Sequence, residues 1–473
     1  MSKYRILLPL LGAWGLTACT VGPDYVRPTM TLPDHYNAAA SGASPVSTDA
    51  QQTVQRDWWR LFDDVTLNEL VALALANNAD LQMAVARIAQ AQGLAMQAGA
   101  AQYPSLSLNA SGTRAAKGPA ASGTGLTYMD NNFVGNAGLA YELDIWGQVR
   151  RSVESADAQV KASVFDRDAV QLVLEGSVVR AYINLRSLDA QIKVTEDSIH
   201  TRRESLRIVQ ARFAGGLVSP LDINQAEAAL ASLQATQAEL VRQRAVAQNQ
   251  LGVLTGKLDL SIASADVTAL PIPPAPPAGM PSELLEARPD VRKAEEQLVS
   301  ANAQIGVAKA NFFPSFSLTG MYGAQSVGFS NFLGANGSIW AATLGLMQPL
   351  FTGGALTGAL DTAKGKQQEA LANYVKTVRA AFGEVSDALA SVQQTREAEG
   401  YLRAQVKASG KAQQIAIVRY QNGYADYLYV LESQRVANEA NLVYVRNRAA
   451  RLLAGVDLFK ALGGGWQVEK ALP

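Results

Sequence analysis

The sequence predicts a mainly helical fold, duplicated within one chain, with four short two-faced strands that can close only as part of an oligomeric membrane β-barrel. Three observations predict it. Segments recur at a nearly fixed offset, two pairs of segments alternate apolar and polar residues, and two proline-free stretches are far longer than a globular helix requires.

The repeat comes first, because a missed duplication misreads the whole fold. Ala79-Asp80-Leu81 matches Pro289-Asp290-Val291, and Tyr103-Pro104-Ser105-Leu106-Ser107-Leu108 matches Phe313-Pro314-Ser315-Phe316-Ser317-Leu318, both at an offset of 210. Leu143-Asp144-Ile145-Trp146-Gly147 resembles Gln348-Pro349-Leu350-Phe351 followed by Gly353. Arg212-Phe213-Ala214-Gly215-Gly216 matches Arg419-Tyr420-Gln421-Asn422-Gly423 at 207, and Leu254-Thr255-Gly256 matches Leu462-Gly463-Gly464 at 208. Each copy reads helix, strand, strand, very long helix, helix.

In order, residues 65–102 lack proline and are rich in Ala, Leu, Gln and Met, which favours helix. Pro104 ends that pattern. From Ser105 to Ser111, Leu106, Leu108 and Ala110 point one way and Ser105, Ser107, Asn109 and Ser111 the other. From Phe133 to Leu143, Phe133, Ala137, Leu139, Tyr141 and Leu143 share a face opposite Asn132, Asn136 and Glu142. In the second copy Phe316, Leu318 and Tyr322 oppose Ser315, Ser317 and Thr319, while the strand near Ile339–Gln348 is apolar without a clear division. Period-two alternation suits a strand with lipid outside and water inside, and also a half-buried strand of an ordinary sheet. Gly, Ser and Asn mark residues 112–131 and 323–337 as loops. No proline occurs from Gly147 to Ser219 or from Leu350 to Leu472. One helix over residues 147–213 would run roughly 100 Å, too long for one domain core, so it needs partner helices alongside.

The start reads as an export signal. Lys3 and Arg5 precede an apolar run from Ile6 to Ala18, too short to span a bilayer as a helix. Leu16-Thr17-Ala18-Cys19 resembles a lipobox, so residues 1–18 are expected to be a signal peptide and Cys19, the one cysteine, the acylated first residue of the mature chain. Thr20, rather than Asp, favours the outer membrane. The 41 basic and 41 acidic residues balance, and without Lys3 and Arg5 the ratio is 39 to 41, which speaks against nucleic-acid binding. No later apolar run is long enough for a transmembrane helix, so any crossing must be a closed barrel. Bacterial barrels need about eight strands or more. Four strands with two bare edges therefore call for sister chains; two copies give eight strands, three give twelve, and the arithmetic leaves both open.

At this point the residues resemble the TolC-like outer-membrane factors, in particular their lipoprotein branch of the OprM/NodT type. The motifs are Cys19-Thr20-Val21-Gly22-Pro23-Asp24-Tyr25 with Pro28, Trp58-Trp59-Arg60-Leu61-Phe62-Asp63-Asp64, Arg288-Pro289-Asp290-Val291, Phe313-Pro314-Ser315, Arg419-Tyr420 with Gly423, and Ala461-Leu462-Gly463-Gly464-Gly465-Trp466. One departure is Trp146-Gly147, where the family more often has Phe-Gly. The resemblance implies a homotrimer, a twelve-stranded barrel with four strands per chain, and an α-helical periplasmic tunnel. It further implies docking to a periplasmic adaptor (membrane fusion) protein and an inner-membrane transporter of the resistance–nodulation–division (RND) type, as an exit duct in multidrug efflux. The other readings are a type I protein-secretion duct and a non-conducting structural lipoprotein. The expected segments are 1–18 signal, 19–63 lipidated linker and start of the waist, 64–256 first repeat, 257–281 Pro-rich linker, 282–465 second repeat and 466–473 tail.

A passive tube needs a gate rather than a catalytic group. It is expected where helix meets helix in each repeat, at 212–223 and 419–431, with Arg419, Tyr420, Asp426, Glu432 and Asp222 as its residues; carboxylate rings select cations, and Arg–Asp or Tyr–Asp contacts hold helices inward. The two histidines, His35 and His200, lie in the linker and on a charged helix, and the sequence offers no metal-ligand spacing, phosphate loop or nucleophile elbow. No catalysis and no cofactor are expected.

Overall fold

The structure, a computed structural model, describes residues 20–33, 36, 56–118, 128–276, 287–332 and 337–466. The expected leader, Cys19, His35, most of the N-terminal linker, the end of the inter-repeat linker and all of the expected tail but Trp466 lie outside the described residues.

The elements run α1 (Val65–Asn77), α2 (Ala79–Ala100), β1 (Ser105–Lys117), β2 (Tyr128–Leu143), α3 (Gln148–Ala214), α4 (Pro220–Thr255), α5 (Pro289–Ala310), β3 (Ser315–Ser326), β4 (Ser338–Met347), α6 (Ala355–Gln421) and α7 (Tyr427–Ala461). The duplication is visible in the lengths. α2 and α5 each hold 22 residues, α3 and α6 each hold 67, and α4 and α7 hold 36 and 35.

The single helix expected over 65–102 is two. Asn78 adopts an extended conformation between them, and its side chain explains the break. Oδ1 accepts from the backbone of Asp80 and Leu81, capping α2, while Nδ2 donates to the Leu254 carbonyl at 3.0 Å. An N-cap of this kind is worth about 1 kcal/mol.

The chain forms two units. Of the described residues, one contains those within 20–29, 87–164 and 293–374; the other contains those within 30–86, 165–292 and 375–466. In the first, all four strands make one antiparallel sheet in the order β1-β2-β3-β4. β1 extends to Lys117, β2 begins at Tyr128 and β3 reaches Ser326, so the expected loops at 112–131 and 323–337 are partly strand. Glycine there reads as a turn but serves cross-strand packing. A Cβ on Gly112 would stand 3.2 Å from the ring of Phe133, its direct partner.

Register sorts the faces. Leu106, Leu108 and Ala110 lie opposite Leu139, Ala137 and Gly135; Leu143 and Tyr141 lie opposite Phe316 and Leu318; Phe316, Leu318 and Tyr322 lie opposite Leu346, Leu344 and Trp340. The fourth strand thus gains the two faces its sequence left undivided. The apolar face is open, with Leu108 85 % and Trp340 76 % exposed. The other face carries Asn109, Asn136, Thr319 and Thr343, with Asn109 donating to Asn136 at 3.4 Å and Gln325 to Asn132 at 2.9 Å.

The second unit holds the main core. Trp58, in a 3₁₀ turn, is fully buried, stacks on Phe459 at 5.4 Å and meets Trp59 and Phe62 edge-on. Val178, Val179, Tyr182 and Ile183 from α3 and Leu452 and Val456 from α7 fill the same cluster. The inter-repeat linker is packed too: Ile262, Val267 and Leu270 join this core, and Arg186, Arg244 and Arg448 donate to carbonyls of Ala263, Ile262 and Leu270. Asp189 accepts from Arg244 at 2.5 Å, and Glu399, nearly buried, gathers Arg451, Arg403 and Arg448 at 2.5, 3.2 and 3.5 Å.

Glu175 is the exception. Burial pushes its carboxyl up to about 7, Gln171 opposes that by donating a hydrogen bond, and Asp57 adds to it. Between the ordinary carboxylate range and pH 7 the folded state binds the extra proton, so stability falls as pH rises through that window and the full cost stands above it. The Glu175→Gln variant should unfold at a higher temperature than the parent at pH 8, by the equivalent of at most about 3 kcal/mol, and show no such gain at pH 4. Thermal melts at the two pH values check this, and an equal gain at both would show that ionisation is not the cause.

Candidate gate at the helix turns

Both helix turns are built the same way. Leu217 N–H donates to the Arg212 carbonyl at 2.9 Å, and Tyr424 N–H donates to the Arg419 carbonyl at 2.8 Å. Gly216 and Gly423 take the left-handed conformation, at φ 71° and 78°, that this helix stop requires. They differ at the next cap. Ser219 accepts from the backbone of Leu221, and Pro220 opens α4. Asp426 caps α7 with its backbone only; its side chain makes no capping hydrogen bond and is exposed.

Between the turns lies a small core of Val209, Ala226, Tyr420, Tyr427 and Val430. The rings of Tyr420 and Tyr427 sit 5.5 Å apart. Burial holds both phenols above their ordinary value, aided by the carboxylate of Asp222 in the first turn of α4. Neither hydroxyl has a hydrogen-bond partner among the described residues. Arg212 closes the core: its guanidinium lies 4.7 Å from the centre of the Tyr420 ring and donates to the Tyr420 carbonyl. A cation over an aromatic face is worth up to about 2 kcal/mol when desolvated.

Of the expected gate residues, Tyr420 and Asp222 therefore belong to one cluster. Arg419 is exposed and donates to Tyr424 O at 3.4 Å within its own turn. Glu432 is exposed and paired to Arg435 at 2.7 Å, and Arg435 holds its carboxyl below the ordinary range. Arg419, Asp426 and Glu432 all face outward from this chain. Sequence reasoning missed the clasp by Arg212, which matches Arg419 in the repeat but is used differently.

It also missed a polar layer along the same helices. A cavity of about 200 Å³ is lined by Ser198, Thr201, Arg202, Gln434, Asn438 and Asn441, among others. Ser198 donates to Asn438, and Gln434 to Ser205, both at 2.7 Å. Arg202 is buried there, and burial lowers its guanidinium from the ordinary value. In the sequence Arg202 looks like any charge on a solvated helix. Among the described residues no group of His, Cys, Asp and Glu could hold a metal, and no helix is long and apolar enough to cross a membrane.

Known proteins share this architecture. The family model described as outer membrane efflux protein matches residues 70–257 and 280–464. Outer membrane protein OprJ of Pseudomonas aeruginosa is 32 % identical over 98 % of this chain and 96 % of its own length. Cation efflux system protein CusC of Escherichia coli is 30 % identical over 98 % of this chain and 99 % of its own. The solved structure of the outer-membrane channel OprN superposes with a TM-score of 0.88 at 30 % identity, covering 95 % of this chain and all of that one.

The Arg212→Ala variant should free the second turn. Amide hydrogen exchange across residues 417–431 should quicken about tenfold or more, with residues 178–185 unchanged. Unchanged exchange in 417–431 would mean that the clasp holds nothing.

Proposed function

Because the chain belongs to the outer membrane efflux protein family, we propose that it is the exit duct for small toxic molecules, drugs among them, expelled by an inner-membrane RND transporter through a periplasmic adaptor. It is the outer-membrane channel component of an efflux pump, working as a trimer with its helical tunnel in the periplasm.

One observation carries the reading. The sheet has an exposed apolar face, a polar face and two unpaired edges, β1 and β4. In lipid an unpaired backbone group costs several kcal/mol, so β4 of one copy pairs with β1 of another until the wall closes. Three copies supply twelve strands. The polar face then lines a wet lumen, and passage needs no chemical step.

A lipid anchor at Cys19 fits the N-terminal strap. Val21 N–H donates to the Trp146 carbonyl at 2.9 Å, Asp24 pairs with the buried Arg151 at 2.5 Å, and Arg27 grips Glu295 with two bonds of 2.6 Å. Thr20 lies against Gly147, where a Cβ would stand 2.5 Å from its methyl. From Thr20 onward the chain is thereby fastened at the rim where β2 ends and α3 begins. Acyl chains there enter the near leaflet.

Arg419, Asp426 and Glu432 serve as the charged lining of the resting constriction, backed by the Tyr420 and Asp222 cluster. Their outward exposure on one chain supports this, because in a ring of three each meets its own copies or the lumen.

Two measurements test the reading. Intact mass of protein purified from outer membranes should show a chain starting at Cys19 with acyl mass added; an unmodified chain starting elsewhere refutes the anchor. In planar bilayers the parent should conduct weakly, and the Tyr420→Ala, Asp426→Ala double variant severalfold more. A parent that inserts as a trimer without conducting would refute the duct, and equal conductance in both would refute the gate.

A further inference from the structure

The internal repeat fixes contacts that one chain cannot make with itself. Within the chain, Trp146, just after β2, stacks on Phe313 at 4.8 Å and donates from its indole to the Pro314 carbonyl at 2.8 Å. Phe313-Pro314 leads into β3, the strand beside β2. The second repeat has the same plug in Phe351, after β4, and the first repeat has the same socket in Tyr103-Pro104, before β1. Both are empty-handed: Leu350 is 93 %, Phe351 90 % and Tyr103 71 % exposed. An apolar pair so bare at a strand end marks an interface.

We infer that Phe351 plugs into the Tyr103-Pro104 socket of a second copy of this chain, and that the β4–β1 seam takes the register the repeat dictates. This rests on the channel reading. β3 follows β1 by 210, since Ser105 and Ser315 begin the two strands. β2 and β4 differ by 207, since Ser105 faces Ala140 and Ser315 faces Met347. Within the chain Leu139 faces Gly320, Ala137 faces Tyr322 and Phe133 faces Ser326. Moved one step on, Leu346 faces the partner subunit's Ala110, Leu344 faces the partner subunit's Gly112, and Trp340 faces the partner subunit's Ala116. Thr343 then faces the partner subunit's Thr113 on the polar side. At these positions the apolar side of one copy continues into the apolar side of the next, and the polar side into the polar side. A slip of one residue would turn Leu346 and Leu344 against the polar face. A slip of two keeps the faces but pulls the plug from its socket.

The two seams differ at the plug. Phe351 has no N–H to offer the Pro104 carbonyl of the partner subunit, so the seam between copies lacks the hydrogen bond that Trp146 provides within the chain.

Cysteine pairs in the full-length trimer, extracted from outer membranes, test this. Leu346→Cys with Ala110→Cys should oxidise to covalent dimers and trimers, at least fivefold more than Leu346→Cys with Leu108→Cys. Phe351→Cys with Tyr103→Cys should be joined by a short thiol crosslinker. The Phe351→Trp variant should raise the temperature at which the trimer dissociates by a few degrees. The shifted pair crosslinking better, or a trimer on native mass spectrometry with neither predicted pair joined, overturns the inference and leaves the channel standing. Phe351→Trp leaving trimer dissociation unchanged, with no Phe351–Tyr103 crosslink, assigns Phe351 to lipid and overturns the plug. A monomer in detergent sinks the channel reading itself.

Discussion

The unpaired backbone groups along β1 and β4 constrain everything else in this protein. Water would satisfy them, but lipid does not, and the sheet's open apolar face commits it to lipid. A four-stranded sheet is too small to close on itself. The wall must be shared, and a shared wall of two-faced strands encloses water. Trimer, lumen and passive transport are consequences of where hydrogen bonds can be made.

Duplication supplies the parts economically and then lets them diverge. The two turns stop their helices with the same carbonyl and the same left-handed glycine, yet Arg212 reaches across to Tyr420 while Arg419 stays in its own turn. Ser219 spends its side chain on a cap, whereas Asp426 leaves its carboxylate open. Trp146 finds its socket inside the chain and Phe351 does not. In each case one repeat uses the side chain in a contact that the other lacks, and the counterpart side chain stays exposed.

The helical part balances an apolar core against buried charge. Trp58, Tyr182 and Phe459 anchor the core, while Asp189 accepts from Arg244 and Glu399 gathers Arg403, Arg448 and Arg451. Removing one partner from such a set leaves a buried charge uncompensated and costs several kcal/mol. These hubs tie the inter-repeat linker to helices of both repeats, so a segment that reads as a Pro-rich connection is structural.

Sequence alone determined the duplication, the order of elements, the long helices and the two-faced strands. Periodicity, proline and glycine act locally and are written residue by residue. It also marked Tyr420 and Asp222 for the turns. It missed the break at Asn78, because an asparagine that caps one helix and holds another's carbonyl looks the same as one in a helix interior. It ended β1 too early at a glycine that Phe133 covers from the next strand. The faces of β4, the clasp of Arg212 and the burial of Arg202 needed the tertiary structure, because register and long-range contact set a side chain's partners, and no local pattern encodes them.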